Sequence, residues 1–453
     1  MKSRQRLIGA ISAIALSVGS CVLAVPAVAQ SSVNDVIAGV DWAGTHRTDA
    51  WVESPIDDAF YATPEVMDPR PGAVLRTQPA PHLLNTFGPR FPAYAQKILY
   101  TSTTQDGRPV PVSGYIMEPR NPWRGPGPVP TVIFAPGTRG QADICAPSRG
   151  AYLLGSYSRP DKALGINYEI IVQYHLLELG MRVVNTDYIG LGTEGVHTYV
   201  NNIEEAHAVL DAARAALSVA NVDPRSPIAF YGYSQGGGAA AAAAEFASSY
   251  APELNVKGTY AGAVPADLPQ VIKAIDGSSI SGVLGMSINS YAARDPEFRA
   301  IVKEYLNEAG EEFLRRSARS CLADAAVDDG LKTTRFFTKD GRTLSESLGS
   351  DPRIIKILDR QKLGRKKPSA PIMVGSAIHD DLVPNAQVRQ LSRDYCQLGA
   401  EVYYFESSLP VITPSIPSGL NHAAQAFGDL PEAARYLYDR FLDRPALNNC
   451  PAT

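Results

Sequence analysis

The chain has 453 residues, 45% of them hydrophobic and 19% charged, and a formal net charge of −4. That length builds one large domain with insertions, or two domains. The acidic balance argues against a nucleic-acid partner and against electrostatic docking on anionic membranes.

Lys2, Arg4 and Arg6 precede an apolar stretch from residue 7 to about residue 25, and Ala27-Val28-Ala29 follows. This order predicts a signal peptide over 1–29 and a secreted, extracellular protein. Val18-Gly19-Ser20-Cys21 offers a competing lipoprotein-type reading, with envelope association through Cys21. Cleavage after Ala29 removes three basic residues and no acids, which moves the charge from −4 to −7. No later segment is long and apolar enough to span a membrane. Four cysteines remain: Cys145, Cys321, Cys396 and Cys450. An even count in an exported chain reads as two disulfides, for which three pairings exist. No Cys-x-x-Cys is present, so no zinc site is expected.

Residues 30–90 are rich in Pro and Gly and read as an extended arm. Segments 96–104 and 110–118 read as two strands around Gln105-Asp106-Gly107. From 129 onward strands and helices alternate. Strands are expected at 129–135, 181–188, 226–233, 258–264, 371–376 and 402–406, with helices over 168–179 and 203–219. This alternation predicts a mainly parallel sheet with helices on both faces. Residues 266–365 break the rhythm with helical patterns and few strand signals. The expected organisation is a core of 30–265 and 366–453 with a helical cap inserted over 266–365, near the carboxyl ends of the strands.

The segment 226–245 is an apolar strand, then Gly232-Tyr-Ser-Gln-Gly236, then an Ala-rich run. A strand, a Gly-x-Ser-x-Gly turn and a helix form the setting of a nucleophile elbow, with Ser234 as nucleophile. A serine needs a base, and only His379 and His422 follow it. His422 falls after the last strand, in what reads as a loop before a helix, and is the expected base. His379 shares a strand with the acids and is the expected neighbour. The acid is Asp380 or Asp381, at the end of the strand over 371–376. The backbone N–H of Gln235 is one expected oxyanion donor, and the second comes from Thr138 or Arg139 in the loop after 129–135.

Gly232-Tyr-Ser-Gln-Gly236, Asp380-Asp-Leu-Val-Pro384, Cys145-Ala-Pro-Ser148 and the late His422 together resemble the secretory lipase family of α/β-hydrolases. The resemblance implies that Asp380 is the catalytic acid and that the disulfides are Cys145–Cys321 and Cys396–Cys450. It implies that the insertion is a cap holding an acyl-binding tunnel. It also implies hydrolysis of carboxylic esters, commonly triacylglycerols, with a lipid or small ester as substrate. Transient lipid-interface contact is expected through the cap. No metal, cofactor or obligate protein partner is expected. The competing readings are an acyltransferase, a peptidase or amidase on the same triad, and a non-catalytic lipid-binding protein of this fold.

Overall fold

In the computed structural model, which describes residues 58–80, 92–150 and 153–451, a nine-stranded sheet runs through the centre of the chain. The expected signal peptide and most of the expected arm lie outside the described residues. Strands β1 (Val74–Pro79), β2 (Ala93–Thr103), β3 (Pro109–Pro119) and β4 (Thr131–Ala135) come first. A small hairpin of β5 (Gly155–Ser158) and β6 (Ala163–Ile166) follows, then α1 (Ile170–Glu178), β7 (Arg182–Thr186), α2 (Asn202–Val219) and β8 (Pro227–Tyr233). Helix α3 (Gln235–Tyr250) leads into β9 (Asn255–Gly262).

Next comes a purely helical run among the described elements: α4 (Leu268–Ile275), α5 (Val283–Arg294), α6 (Pro296–Tyr305), α7 (Glu308–Ser317), α8 (Leu322–Asp329), α9 (Leu344–Gly349) and α10 (Pro352–Asp359). The sheet resumes with β10 (Ile372–Ala377), α11 (Asn385–Gln397) and β11 (Val402–Ser407). Helices α12 (Leu420–Gly428) and α13 (Leu430–Phe441) close the chain.

The sheet order is β1-β2-β3-β7-β4-β8-β9-β10-β11. The first three strands and the β3–β7 contact are antiparallel, and every contact from β7 to β11 is parallel. The chain leaves β4 toward β7 on one side, then returns through β8 to build outward on the other. The carboxyl ends of β4 and β8 therefore face the crevice where such sheets bind ligands.

Sequence explains the burial. Thr131–Ala135 of β4 is buried at every position, as a central parallel strand covered on both faces requires. Helix α3 packs Ala239 to Ala244 against the sheet with no exposed surface. The fit is close: a Cβ on Gly237 would stand 2.1 Å from the Gly262 carbonyl oxygen. Larger residues there would cost about 1–3 kcal/mol of overpacking.

Two parts of the expected arm and core differ from the sequence reading. Val74–Pro79 is an edge strand against β2, and the β5–β6 hairpin was not foreseen. The cysteines pair as Cys145–Cys321 and Cys396–Cys450. The first ties the loop after β4 to the helical run. The second holds the tail, where the Asn449 N–H donates to the Val402 carbonyl at 2.9 Å. Closing its 54-residue separation is worth about 4 kcal/mol in the chain-entropy account.

Candidate active site

Ser234 joins β8 to α3 with φ 61° and ψ −124°. A non-glycine residue at positive φ is strained, and such strain concentrates at functional sites. The turn closes only because its flanks are small: a Cβ on Gly232 would lie 1.9 Å from the Gly236 carbonyl oxygen. The backbone fixes Ser234 from both sides. Its N–H donates to the Gly262 carbonyl at 2.9 Å, and its own carbonyl accepts from Gly238 N–H at 3.1 Å. Its side chain does not cap α3.

Asp380 follows β10. Its Oδ1 accepts the N–H groups of Leu382 at 2.9 Å and Val383 at 2.8 Å, which locks the carboxylate. Its Oδ2 faces His422 Nδ1 at 2.8 Å, with the Asp380 side chain 1% exposed and that of His422 10% exposed. A carboxylate there makes Nδ1 the protonated nitrogen and leaves Nε2 as the acceptor. Burial lowers the His422 pKa. The charge and hydrogen bond of Asp380 outweigh this, with smaller help from Asp381 and Glu169, so the net position is above the ordinary 6.5.

Asp381 plays a different part. Its Oδ2 accepts from Gly419 N–H at 2.8 Å and its Oδ1 from His422 N–H at 3.1 Å. It thus caps α12, whose first turn carries His422. The expected loop position of this histidine is corrected: it is helical, and its helix is started by an acid from a distant part of the chain. His379 lies in the turn after β10 and is exposed.

Tyr233 links the two halves. Its hydroxyl donates to the His422 carbonyl at 2.7 Å, and its ring lies 5.0 Å from the imidazole. The same hydroxyl approaches Gln425 Oε1 at 3.2 Å, and Gln425 Nε2 donates to Asp429 at 2.9 Å. His422 is therefore held beside the strand end that carries Ser234. Nothing in the local sequence around Tyr233 signals this contact.

The loop after β4 is equally braced. The Glu169 carboxylate accepts from Gly137 N–H at 2.8 Å and pairs with Arg139 at 2.7 Å, both side chains nearly fully buried. Burial raises the Glu169 pKa, against the pull of Arg139 and the Gly137 N–H. The Arg139 guanidinium also lies 4.1 Å from the Tyr168 ring centroid, and Tyr168 OH donates to the Thr138 carbonyl at 3.0 Å. The Thr138 hydroxyl bonds Tyr199 OH at 2.9 Å. The Thr138 and Arg139 side chains are thus engaged elsewhere, which leaves their backbone N–H groups as the candidate donors. Removing Arg139 or Glu169 alone would strand a buried charge, a loss of about 3–5 kcal/mol.

The Gln235 side chain turns inward. Its Nε2 donates to Glu205 at 2.8 Å and lies 3.2 Å from His197 Nε2. Burial pushes His197 down to about 4 and Glu205 up to about 8, so both are neutral near pH 7. This inward network clears the Gln235 side chain away from the start of α3, where the first backbone N–H groups have no helical partner.

A sequence model of the secretory lipase family matches residues 158–449, most of the chain. The chain belongs to the secretory lipase family. The matched span contains Ser234, Asp380 and His422. Among curated relatives, a probable inactive lipase of Mycobacterium tuberculosis is 28% identical over 401 residues, covering 86% of this chain and 83% of that protein. A secreted triacylglycerol lipase of Malassezia globosa is 27% identical over 432 residues, covering 91% and 84%. In structure, Candida antarctica lipase A in its closed state superimposes with a TM-score of 0.73 at 22% identity, over 89% of this chain and 91% of that one. This secretory lipase family member accordingly has the α/β-hydrolase fold. Family membership and the two disulfides mark it as a secreted protein.

Proposed function

We propose that this secretory lipase family member is a serine carboxylic-ester hydrolase that acts on acyl esters, triacylglycerols among them, through an acyl-enzyme. One observation carries the reading: the Asp380–His422 pair at 2.8 Å is bonded through Tyr233 to the strand end that bears a strained Ser234. Ser234 Oγ attacks the ester carbonyl while His422 Nε2 takes its proton. Asp380 keeps Nδ1 protonated and stabilises the imidazolium. Negative charge gathers on the former carbonyl oxygen, against the N–H of Gln235 and an N–H from Thr138 or Arg139. The tetrahedral adduct collapses, His422 returns the proton to the leaving alcohol, and water repeats the cycle to release the acid. The helical segment 266–365 caps this cleft; support comes from its exit at the carboxyl end of β9.

A non-catalytic reading is favoured by one fact, the similarity to a protein named as a probable inactive lipase. Against it, this chain carries serine, aspartate and histidine at all three proposed positions. Turnover of p-nitrophenyl esters from acetate to palmitate separates the readings. Hydrolysis that disappears in Ser234→Ala supports the serine hydrolase, and the preferred chain length sorts lipase from esterase. Absence of hydrolysis across the series removes the proposal. Transfer of the acyl group to an added alcohol in preference to water would instead indicate an acyltransferase.

The His422 shift sets a pH dependence. A histidine that must be neutral to accept a proton loses activity as pH falls through its pKa. Because His422 is raised, the acid limb of kcat/KM is expected above pH 6.5. A limb centred clearly below 6.5 would contradict the Asp380–His422 pairing in the working enzyme.

A further inference from the structure

The segment between β11 and α12 delivers His422 to the site, and its surface is unusual for an acidic protein. The run 407–421 holds no Asp, Glu, Lys or Arg. It exposes Ile412 and Ile416, each at 53%, together with Leu409 and Val411. Two further exposed apolar residues adjoin its ends. Ile378, two residues before Asp380, is bonded through its N–H to the Ser407 carbonyl at 3.1 Å. Phe427 lies at the end of α12, where Leu409 packs against Gly428. These six side chains therefore lie on segments that flank Asp380 and His422 in the chain and are joined by these contacts.

The loop is built to hold that face in place. The N–H groups of Ile412 and Thr413 donate to Asn421 Oδ1, the former at 2.7 Å, and the hydroxyls of Thr413 and Ser418 meet at 2.6 Å. Ser279 of the helical segment donates its N–H to the Pro417 carbonyl and its hydroxyl to the Ser418 carbonyl. Pro410, Pro414 and Pro417 restrict the backbone further. A preorganised apolar surface loses little entropy on binding. Contiguous exposed apolar residues on a secreted protein mark an interaction site.

Charge selects the occupant. An apolar loop with no ionisable group complements an uncharged phase, and the acidic chain disfavours an anionic one. We propose that the β11–α12 loop docks the protein on the surface of neutral ester lipid, beside the residues that act on that lipid. This rests on the ester-hydrolase reading above. It moves the lipid contact from the helical segment, where the sequence put it, to the loop that leads into the His422 helix.

The test uses the secreted chain with its disulfides intact. Adsorption is read by co-sedimentation with phosphatidylcholine vesicles, and activity as the ratio of turnover on emulsified triolein to turnover on soluble p-nitrophenyl butyrate. Ile412→Ser/Ile416→Ser is expected to lower both adsorption and the ratio by about tenfold, since each loses apolar area that would leave water. Val411→Asp, a single exposed change, is expected to act in the same direction. Phe336, the most exposed aromatic residue of the helical segment at 72%, provides the comparison. Phe336→Ser is expected to leave both readouts unchanged. Wild-type adsorption by both loop variants overturns the proposal, as does a loss confined to Phe336→Ser. Wild-type adsorption that appears only on anionic vesicles and vanishes at high salt also overturns it. A wild type that adsorbs through the loop yet hydrolyses neither ester would instead refute the hydrolase reading.

Discussion

Ser234→Ala is expected to lower kcat for p-nitrophenyl butyrate by about 10⁴- to 10⁶-fold. The serine forms the covalent bond, so the remaining groups can only polarise the ester for attack by water. Stability should barely move. The hydroxyl makes no capping bond to α3, and the backbone contacts of residue 234 are independent of its side chain. Alanine also tolerates the left-handed region in this protein, since Ala263 sits at φ 44° beside the same turn. The variant should melt within a few degrees of wild type, a difference of about 1 kcal/mol or less. Retention of a tenth or more of the wild-type kcat would refute the assignment of Ser234 as nucleophile.

The second large effect separates two adjacent acids. Asp380→Asn should lower kcat by about 10⁴-fold. The two N–H bonds from Leu382 and Val383 would keep the amide oxygen where Oδ1 now lies. The amide NH₂ would then face His422 Nδ1, forcing the proton onto Nε2 and leaving no base for Ser234. Asp381→Asn should be far milder, about tenfold or less. Its carboxylate accepts from the backbone of Gly419 and His422 rather than from the imidazole, and an amide oxygen preserves one of those bonds. The cost is a weaker helix cap of about 1 kcal/mol. Steady-state kinetics on both variants decides the matter. The reverse order of severity would make Asp381 the catalytic acid.

Much of this arrangement could be read from local sequence. The strand, turn and helix at Ser234 obey short-range rules, as do the β2–β3 hairpin and the strand that leads to Asp380. The helical character of 266–365 followed from its spacing and charges. What escaped notice depends on partners remote in sequence. Val74–Pro79 has no clean alternation, and it becomes a strand only because β2 offers it an edge. The hairpin strands Gly155–Ser158 and Ala163–Ile166 are too short and too small in side chain to stand out. Residue 422 read as a loop because Ser418-Gly419-Leu420 looks like a break. The cap that starts its helix is Asp381, and no N-cap rule looks that far away. The same limit hid Tyr233 and Glu169, whose roles exist only once β8 meets α12 and α1 meets the loop after β4. Asp380 and Asp381 could not be told apart locally, since side-chain direction at the end of β10 decides between them.

The Cys145–Cys321 bond has a mechanical consequence for the helical segment. Cys321 lies near the middle of 266–365, and its neighbours Ser320 and Leu322 are already stitched by backbone bonds to Gln141 and Arg139. The segment is held at its exit from β9, at this staple and at its entry to β10, and its two halves are bonded to each other: the Thr334 hydroxyl donates to Asp276 at 2.7 Å and the Tyr305 hydroxyl to Asp351 at 2.9 Å. A proposed cap pinned at its centre and cross-bonded in this way cannot swing as a single door, and its central post is also the frame of the proposed oxyanion loop.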